Sequence, residues 1–395
     1  MLIGKKIRLK PTQEQEILLR KSLGCARFAY NFCLETVKQS YDDYIEQGKK
    51  GEKPMKPLSV NSLFTEMKKT THPWLCEVGC NVVKKACADV DDAYKRFFSG
   101  ESGYPKKKKK HDSTNKFYVN YESFRRMNGG CHCEKIGFIR TAEPLPKIPK
   151  GKHYSNPRIS FDGKFWYISF GYEIEVKPEE HTEESLGIDL GIKDLAICSN
   201  GKTYKNVNKT KRMKKLKRKK RREQRKLSRK IEANIKGYWT DTKGHKHPIY
   251  KRKFIECKNF QKQKKKIVLI DRKLANTRLD YTHKTTSKIV KTKPSRIVME
   301  DLNVRGMMKN KHLSRAIQEQ TFGEFIRQMK YKCAMHGIEF VQVPRFYPSS
   351  KTCSCCGFVK KTLKLSERVF RCESCGLEID RDFNASLNLA HYQSA

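Results

Sequence analysis

No apolar run in this 395-residue chain approaches the roughly 20 residues that a membrane-spanning helix needs, which excludes an integral helical membrane protein. Acidic residues are scarce as well: 42 Asp and Glu stand against 86 Lys and Arg, a formal net charge of +44. So much charge of one sign repels itself in the compact state and points to a polyanion as the normal partner. Hydrophobic residues make up only 37%, yet the length suffices for two or three domains with real cores. The opening residues Met1-Leu2-Ile3-Gly4-Lys5-Lys6 lack the apolar core of a signal peptide, so the chain is expected in the cytoplasm. Cysteine runs against the pattern of scarcity. In a reducing compartment the 15 cysteines should be thiols or metal ligands rather than disulfides.

Four of those cysteines form one pattern. Cys353 and Cys356, then Cys372 and Cys375, with Gly357 and Gly376 behind each pair, have the Cys-x2-Cys-x15-Cys-x2-Cys spacing of a four-thiolate zinc ribbon. Two intervening residues let one tight turn aim both sulfurs at one ion, and the glycine lets the backbone fold beneath it. Cys355 would break that register and is left out. Cys25, Cys76, Cys87 and Cys333 fall on apolar helical faces, where a thiol serves as a small buried hydrophobe. Cys131-His132-Cys133 has no partner pair at a usable distance and does not make a second metal site.

Along the chain, residues 2–10 read as a basic strand ended by Pro11. Thr12-x-x-Gln15 is a capping box, followed by helical spacing of Ile17, Leu19, Leu23, Ala26 and Tyr30. After a polar linker at 47–57, Val78, Val82, Ala86, Val90, Ala93 and Phe97 mark a second amphipathic helix. Lys106 to Lys110 cannot form a core; with this net charge, Lys106, Lys107 and Lys108 are expected to meet phosphate. The period then changes to strands at Phe117–Val119, Ile136–Ile139, Arg158–Phe161 and Phe165–Phe170, with an Asp162-Gly163 turn. If the first strand joins this sheet, the helices are an insertion into a β domain, and the charged run Glu173–Glu184 is a linker.

Beyond it, Leu186-Gly187-Ile188-Asp189-Leu190-Gly191 is an apolar strand with one carboxylate in its middle, costly unless that charge is paired or binds metal. Arg296–Leu302 is a second buried-type strand delivering Glu300, and Asp380 and Asp382 precede a helical run. Asp189, Glu300 and Asp382 lie in separate segments and can converge on two Mg²⁺ ions roughly 4 Å apart, the arrangement that hydrolyses phosphodiesters. Three acids without histidine suit a hard divalent ion. Between the first two acids, 15 of the 22 residues from Lys209 to Lys230 are basic. This run reads as the first arm of a helical excursion lying on nucleic-acid phosphate, through residues such as Arg218, Arg221 and Arg222. Strand, hairpin strand, helix, acid-tipped strand, helix, strand, final acid and helix make an α/β domain of RNase H-like order.

Gly187-Ile188-Asp189-Leu190-Gly191, Glu300-Asp301-Leu302-Asn303-Val304 and Asp382-Phe383-Asn384-Ala385-Ser386-Leu387-Asn388 resemble the three RuvC motifs of the transposon-encoded TnpB family, of which compact type V CRISPR effectors are close relatives. Arg278–Lys284, Phe346–Ser354 and Gly24–Asn31 are similar to family sequence too. Ser386 stands where Ala is commoner. The resemblance implies a multidomain α/β protein: an RNase H-like (RuvC) nuclease domain with an inserted zinc ribbon, and an N-terminal β-barrel-like (wedge) domain with an inserted helical recognition domain. The implied boundaries are 1–11 and 113–184 for the wedge, 12–112 for the recognition helices and 185–350 for the nuclease domain. Within that last domain a basic helical insertion spans about 205–285; the ribbon follows at 351–377 and the last nuclease segment at 378–395. It further implies an RNA-guided DNA endonuclease, with Asp189, Glu300 and Asp382 holding two Mg²⁺ ions and Cys353, Cys356, Cys372 and Cys375 one Zn²⁺. A noncoding guide RNA would pair with double-stranded target DNA beside a short flanking motif and leave single-stranded DNA in the site. Asn61, Asn81, Lys84 and Lys85 are the expected flank-reading residues. One copy of the chain would work with one RNA, nucleoid-associated when on DNA. A compact CRISPR effector, a transposase that also joins ends, and a non-cleaving RNA-guided repressor remain alternatives.

Overall fold

Thr12 Oγ1 accepts from the Gln15 N–H at 3.3 Å, and the Gln15 side-chain oxygen accepts from the Thr12 N–H at 3.0 Å. This capping box starts the first helix by satisfying two otherwise orphaned donors. In the computed structural model, which describes residues 1–110, 116–149, 151–176, 179–364 and 367–393, the chain forms two compact units, Met1–Ile174 and Glu175–Ala395.

In the first unit, β1 (Leu2–Lys10) leads into α1 (Gln13–Glu46), α2 (Val60–Lys69) and α3 (Cys80–Phe98). α1 buries Leu19, Cys25, Ala26 and Tyr30, and α3 buries Val82, Ala86 and Val90. Ile17, expected on the same face as Leu19, is 54% exposed, because residues two apart on a helix point to different sides. The strands are β2 (Lys116–Tyr118), β3 (Arg125–Met127), β4 (Gly130–Cys133), β5 (Gly137–Thr141), β6 (Ser155–Phe161) and β7 (Trp166–Glu173). With β1 they form a seven-stranded sheet of order β2-β6-β7-β1-β5-β4-β3. β1 pairs antiparallel with β7 from Leu2–Glu173 to Leu9–Trp166, so the three helices lie between two strands of one sheet. A bidentate ion pair ties them to it: the Arg158 guanidinium on β6 donates to both Asp89 carboxylate oxygens on α3, at 2.8 and 2.7 Å.

Cysteine placement follows from these elements. Cys25, Cys87 and Cys333 are buried as expected, but Cys76 is exposed, because it lies in a single 3-10 turn, Pro73–Glu77, rather than on an amphipathic helix. Cys131 and Cys133 are buried while His132, between them on β4, is only half-buried, since alternate strand residues face opposite sides.

The change of unit at Ile174/Glu175 comes earlier than the expected boundary at 184/185. Thr182–Glu184 already belong to a strand of the second unit: the Thr182 N–H donates to Lys293 O at 2.8 Å and the Ser295 hydroxyl to Glu183 O and Glu184 O at 3.1 and 3.0 Å. The expected boundary at 112/113 lies outside the described residues, as do 177 and 178 of the charged linker.

The second unit opens with β8 (Thr182–Leu190), β9 (Asp194–Cys198) and β10 (Thr203–Lys205). It continues through α4 (Lys211–Ala233), β11 (Ile235–Thr240), β12 (Lys246–Tyr250) and α5 (Lys258–Val290) to β13 (Pro294–Glu300). After α6 (Val304–Met307), α7 (Ser314–Gln320) and α8 (Phe322–Met335) come β14 (Glu339–Val343), β15 (Val369–Arg371), β16 (Glu378–Asp380) and α9 (Arg381–Ala390). The main sheet runs β10-β9-β8-β13-β14; β13 is parallel to both β8 and β14, and β9 is antiparallel to β8. Strand alternation gives this sheet two apolar faces. Ile188, Ile297 and Met299 pack with Ile289 of α5 and Phe322, Phe325 and Met329 of α8, whereas Val298 and Val343 pack with Leu389 of α9. α5 is one 33-residue helix that runs past the expected end of the insertion at about 285, and Ile289 and Val290 in its last turn are buried in the core against the main sheet. Among the described residues no helix is long and apolar enough to cross a membrane.

Gly187 decides how closely α9 approaches. A Cβ at this position would lie 2.0 Å from Ser386 O and 2.4 Å from the Ala390 nitrogen, both backbone atoms of α9. Gly187→Ala should therefore push the helix off the sheet at a cost of about 3 kcal/mol or more, lowering the melting temperature by roughly 6–12 °C. Gly191→Ala, whose Cβ would meet only Asp194 O at 3.1 Å, is the control. Calorimetric melts of the two variants check this; equal melts would show that α9 does not rest on Gly187.

Candidate functional site

The two-residue period that turns Gly187 and Val298 toward α9 turns Asp189 and Glu300 the same way. The strands pair in register through Val298–Gly187 and Met299–Ile188, so the two acids follow at neighbouring carboxyl ends of parallel strands. Asp382 joins them from the first turn of α9. The adjacent Asp380 instead caps that helix, its Oδ1 accepting from the N–H groups of Asp382 and Phe383, each at 3.0 Å. Burial first, then the charges of Glu300 and Asp382, push the Asp189 carboxyl well above the usual carboxylate range, with Arg381 opposing them. The three acids therefore lie within electrostatic reach of one another. Their carboxylates do not all lie within 4.8 Å of one another, and two of them are engaged by other side chains. The Arg381 guanidinium donates to Asp382 Oδ1 through Nε at 3.0 Å and Nη2 at 2.8 Å, and the Ser349 hydroxyl donates to Glu300 Oε1. An all-carboxylate donor set with an excess of negative charge fits a hard divalent cation and not a soft one.

The four ribbon cysteines do converge. Among the described residues they are the one His/Cys/Asp/Glu group with ligand atoms all within 4.8 Å of one another. Each knuckle closes alike. The Cys353 N–H donates to Phe358 O at 2.8 Å and the Gly357 N–H to Cys353 O at 3.0 Å; the Cys372 N–H donates to Leu377 O at 2.8 Å and the Gly376 N–H to Cys372 O at 3.2 Å. Gly357 and Gly376 stand at φ 75° and 73°, the left-handed region that glycine enters without a Cβ penalty. The N–H of Cys375, followed by that of Ser374, donates to Cys372 Sγ and helps pull its thiol down to about 6, toward the thiolate that a metal requires. The cluster suggests zinc. Cys355 is exposed and outside it.

Sequence reasoning missed the residues that join ribbon to acids. Asn384 on α9 donates to Thr352 O at 2.7 Å and accepts from the Ser354 N–H at 3.0 Å. One turn on, Asn388 donates to Ser349 O at 2.7 Å and Thr352 O at 2.6 Å. Both side chains are buried, and Ser349 is the residue that holds Glu300. A second asparagine four residues after the first, following an acid, is the one signal in the sequence: it sets two amides on one helix face.

The expected nucleic-acid contacts are scattered. Arg218, Arg221 and Arg222 are exposed along α4, whose opposite side is held to α5 by Met213 against Ile270 and Leu274 and by Lys220 on Asp271 at 2.6 Å. Asn61 lies on α2, and Asn81, Lys84 and Lys85 on α3; Lys84 is exposed and the other three are half-buried. Lys106 is exposed, and Lys107 pairs with Glu35 at 2.6 Å. Lys108 departs from the expected phosphate contact. Its ammonium sits 3.7 Å over the Tyr30 ring, its backbone is clamped by Asn31, and burial depresses its pKa to about 8. It serves as an internal cation of the first unit.

Known proteins are similar to this chain over nearly all of its length. A "Putative RNA-guided DNA endonuclease" of Streptomyces pristinaespiralis is 30% identical over 392 residues, covering 97% of this chain and 87% of that protein. The chain belongs to the TnpB/OrfB (IS605) family. Escherichia coli K12 InsQ, another family protein with the same description, is 29% identical across 97% of this chain and 90% of its own length. Residues 322–389 match the "Cas12f1-like, TNB domain" and 169–311 the family described as "Probable transposase". A "Helix-turn-helix domain" description matches residues 1–48, although that segment is a strand followed by a single 34-residue helix. The fold is shared with Cas12f1 as seen in its complex with sgRNA and target DNA, at a TM-score of 0.55 and 14% identity over 99% of both chains.

Proposed function

We propose that this TnpB-family chain is an RNA-guided, Mg²⁺-dependent endonuclease that hydrolyses double-stranded DNA beside a short flanking motif, using Asp189, Glu300 and Asp382. The observation that carries the reading is the placement of Asp189 and Glu300 at neighbouring carboxyl ends of β8 and β13 with Asp382 in the first turn of α9, where burial first and then the charges of Glu300 and Asp382 raise the Asp189 carboxyl. Two Mg²⁺ ions bound there would supply activation of the attacking water and neutralisation of the leaving oxygen. The chain's own residues prepare that site. Asp189 and Glu300 project from rigid strand ends, Ser349 orients Glu300, and Arg381 restrains Asp382 until a cation competes for it. The exposed arginines of α4 supply positive charge for RNA or DNA phosphate, and base pairing with a guide supplies sequence choice. The family membership and the names of the relatives support the same activity.

The test is cleavage of a guide-matched plasmid library with randomised flanks, by protein expressed with its native flanking RNA and assayed with and without that RNA. RNA-dependent, Mg²⁺-dependent cutting beside one enriched motif is expected. Absence of cutting by folded, RNA-loaded, zinc-replete protein would refute the endonuclease reading, and joined donor ends would favour a transposase.

A further inference from the structure

β11 and β12 form a two-stranded ribbon that, among the described residues, pairs with no other strand. Such ribbons are marginal in water unless something packs on them, yet this one exposes large side chains on both faces. Register sets Trp239 opposite His247 and Tyr238 opposite Pro248, so alternation turns Trp239 and Tyr238 to opposite sides. Tyr238 is 60% exposed, Trp239 53% and Tyr250 39%. The aromatic surface is also pre-set. The Trp239 and His247 rings stack at 4.6 Å with 25° between planes. His247 Nε2 lies 3.0 Å from Asp241 Oδ2, while Asp241 Oδ1 accepts from the Lys243 and His245 N–H groups at 2.9 and 2.8 Å, closing the turn. Asp241 is the only acid between Lys236 and Lys253, and two imidazoles already engage it. Around it the charge is positive, with Lys236 and Lys246 on the strands and Lys251, Arg252 and Lys253 just beyond.

From this surface we infer that the β11–β12 hairpin is a binding site for unpaired nucleotides, with Trp239 on His247, and Tyr238 on the reverse face, as stacking platforms and the lysines as phosphate contacts. Bases already stacked in a duplex present no free face to such rings, whereas single strands do, and aromatic side chains interleaved with cations are the usual chemistry for holding them. The pinned Trp239–His247 pair lowers the ordering cost of binding. The inference rests on the reading of the chain as a nucleic-acid enzyme only in that nucleic acid is its partner.

The experiment uses the full-length chain and one unstructured sequence prepared as labelled RNA, as labelled DNA and as a blunt duplex. Affinities are read by anisotropy at a salt concentration that suppresses the general electrostatic term. Photo-crosslinks from 4-thiouridine or 4-thiothymidine are mapped by mass spectrometry. Trp239→Ala should weaken unpaired-strand binding about tenfold and duplex binding far less; Trp239→Phe should restore it, and crosslinks should fall within residues 235–250. A loss confined to the RNA or to the DNA arm identifies the strand. If Trp239→Ala perturbs folding by circular dichroism, replacing 236–249 by a Gly-Ser linker makes the same comparison. Unchanged affinity in these variants, crosslinks mapping elsewhere, or a protein as the sole occupant would overturn the site. Retained RNA-dependent cutting alongside that result would refute the hairpin site alone; hairpin binding without any cutting by the wild type would refute the endonuclease reading alone.

Discussion

Asp189→Asn should cut guide-matched DNA at least a thousandfold more slowly than the wild type, a loss of about 4 kcal/mol in the barrier, while binding RNA and target unchanged. The substitution keeps the shape of the strand end and removes one charge. It also has a sign that a merely structural residue would not show. The folded state holds the Asp189 carboxyl above its unfolded value, through burial and the charges of Glu300 and Asp382, so folding favours its protonated form. Stability contributed by this group is present below the unfolded pKa and declines as pH rises from there through the folded value. At neutral pH and without divalent ions, Asn removes that penalty, and Asp189→Asn should melt higher than the wild type. Added Mg²⁺ should narrow the gap by stabilising only the wild type. Calorimetry with chelator and with Mg²⁺, beside the cleavage assay, checks both halves. Normal cutting by Asp189→Asn would end the assignment, and a lower melt in chelator would show that Asp189 is satisfied by a contact other than the cluster.

What was legible in the sequence was the chemistry with few uses. An acid inside an apolar strand, or paired thiols with a glycine behind them, has almost no bland role, so Asp189, Glu300 and the four cysteines stood out. Residues whose role is a hydrogen bond across the chain did not. Ser349, Asn384 and Asn388 look like ordinary polar residues until Asn388 is seen donating to Ser349 O, 39 positions away. The inner half of α5 was hidden similarly: Thr282, Thr285 and Thr286 are buried, but threonines among lysine, histidine and serine carry no apolar period. β11 and β12 were lost for the opposite reason. Their aromatics are exposed and separated by lysines, so neither the strand period nor an apolar face is clean. Lys108 shows the limit of composition, since a run of five lysines gives no sign that one folds inward over Tyr30.

The same cross-chain bonds set the expected result of removing the ribbon's metal. Cys372→Ser deletes one of four thiolates, and its effect on zinc affinity should exceed the 10–100-fold typical of losing a ligand's hydrogen-bond partner. Binding of a structural zinc is worth roughly 10–16 kcal/mol in isolated fingers, and the ribbon's own core here is small: Phe370 with Cys353 and Cys372, flanked by Leu377 and Ile379. The variant, or wild type stripped by a strong chelator, should become protease-sensitive across 351–380. The damage should not stop there. Asn384 and Asn388 would lose the Thr352 and Ser349 carbonyls, leaving two buried amides unsatisfied at about 1–3 kcal/mol each. Those amides lie on the helix that begins with Asp382, and Ser349 is the donor to Glu300. Two of the three acids should therefore lose their positions, and cutting should fall by about a hundredfold or more, in keeping with a misplaced reacting group. Cys355→Ser, outside the cluster, should change neither metal content nor rate. Metal analysis, limited proteolysis and cleavage by the two variants form one experiment. A Cys372→Ser protein that keeps stoichiometric zinc and resists protease would refute the four-thiolate site. One that loses zinc yet cuts at the wild-type rate would show that the acids stand without the asparagine clamp.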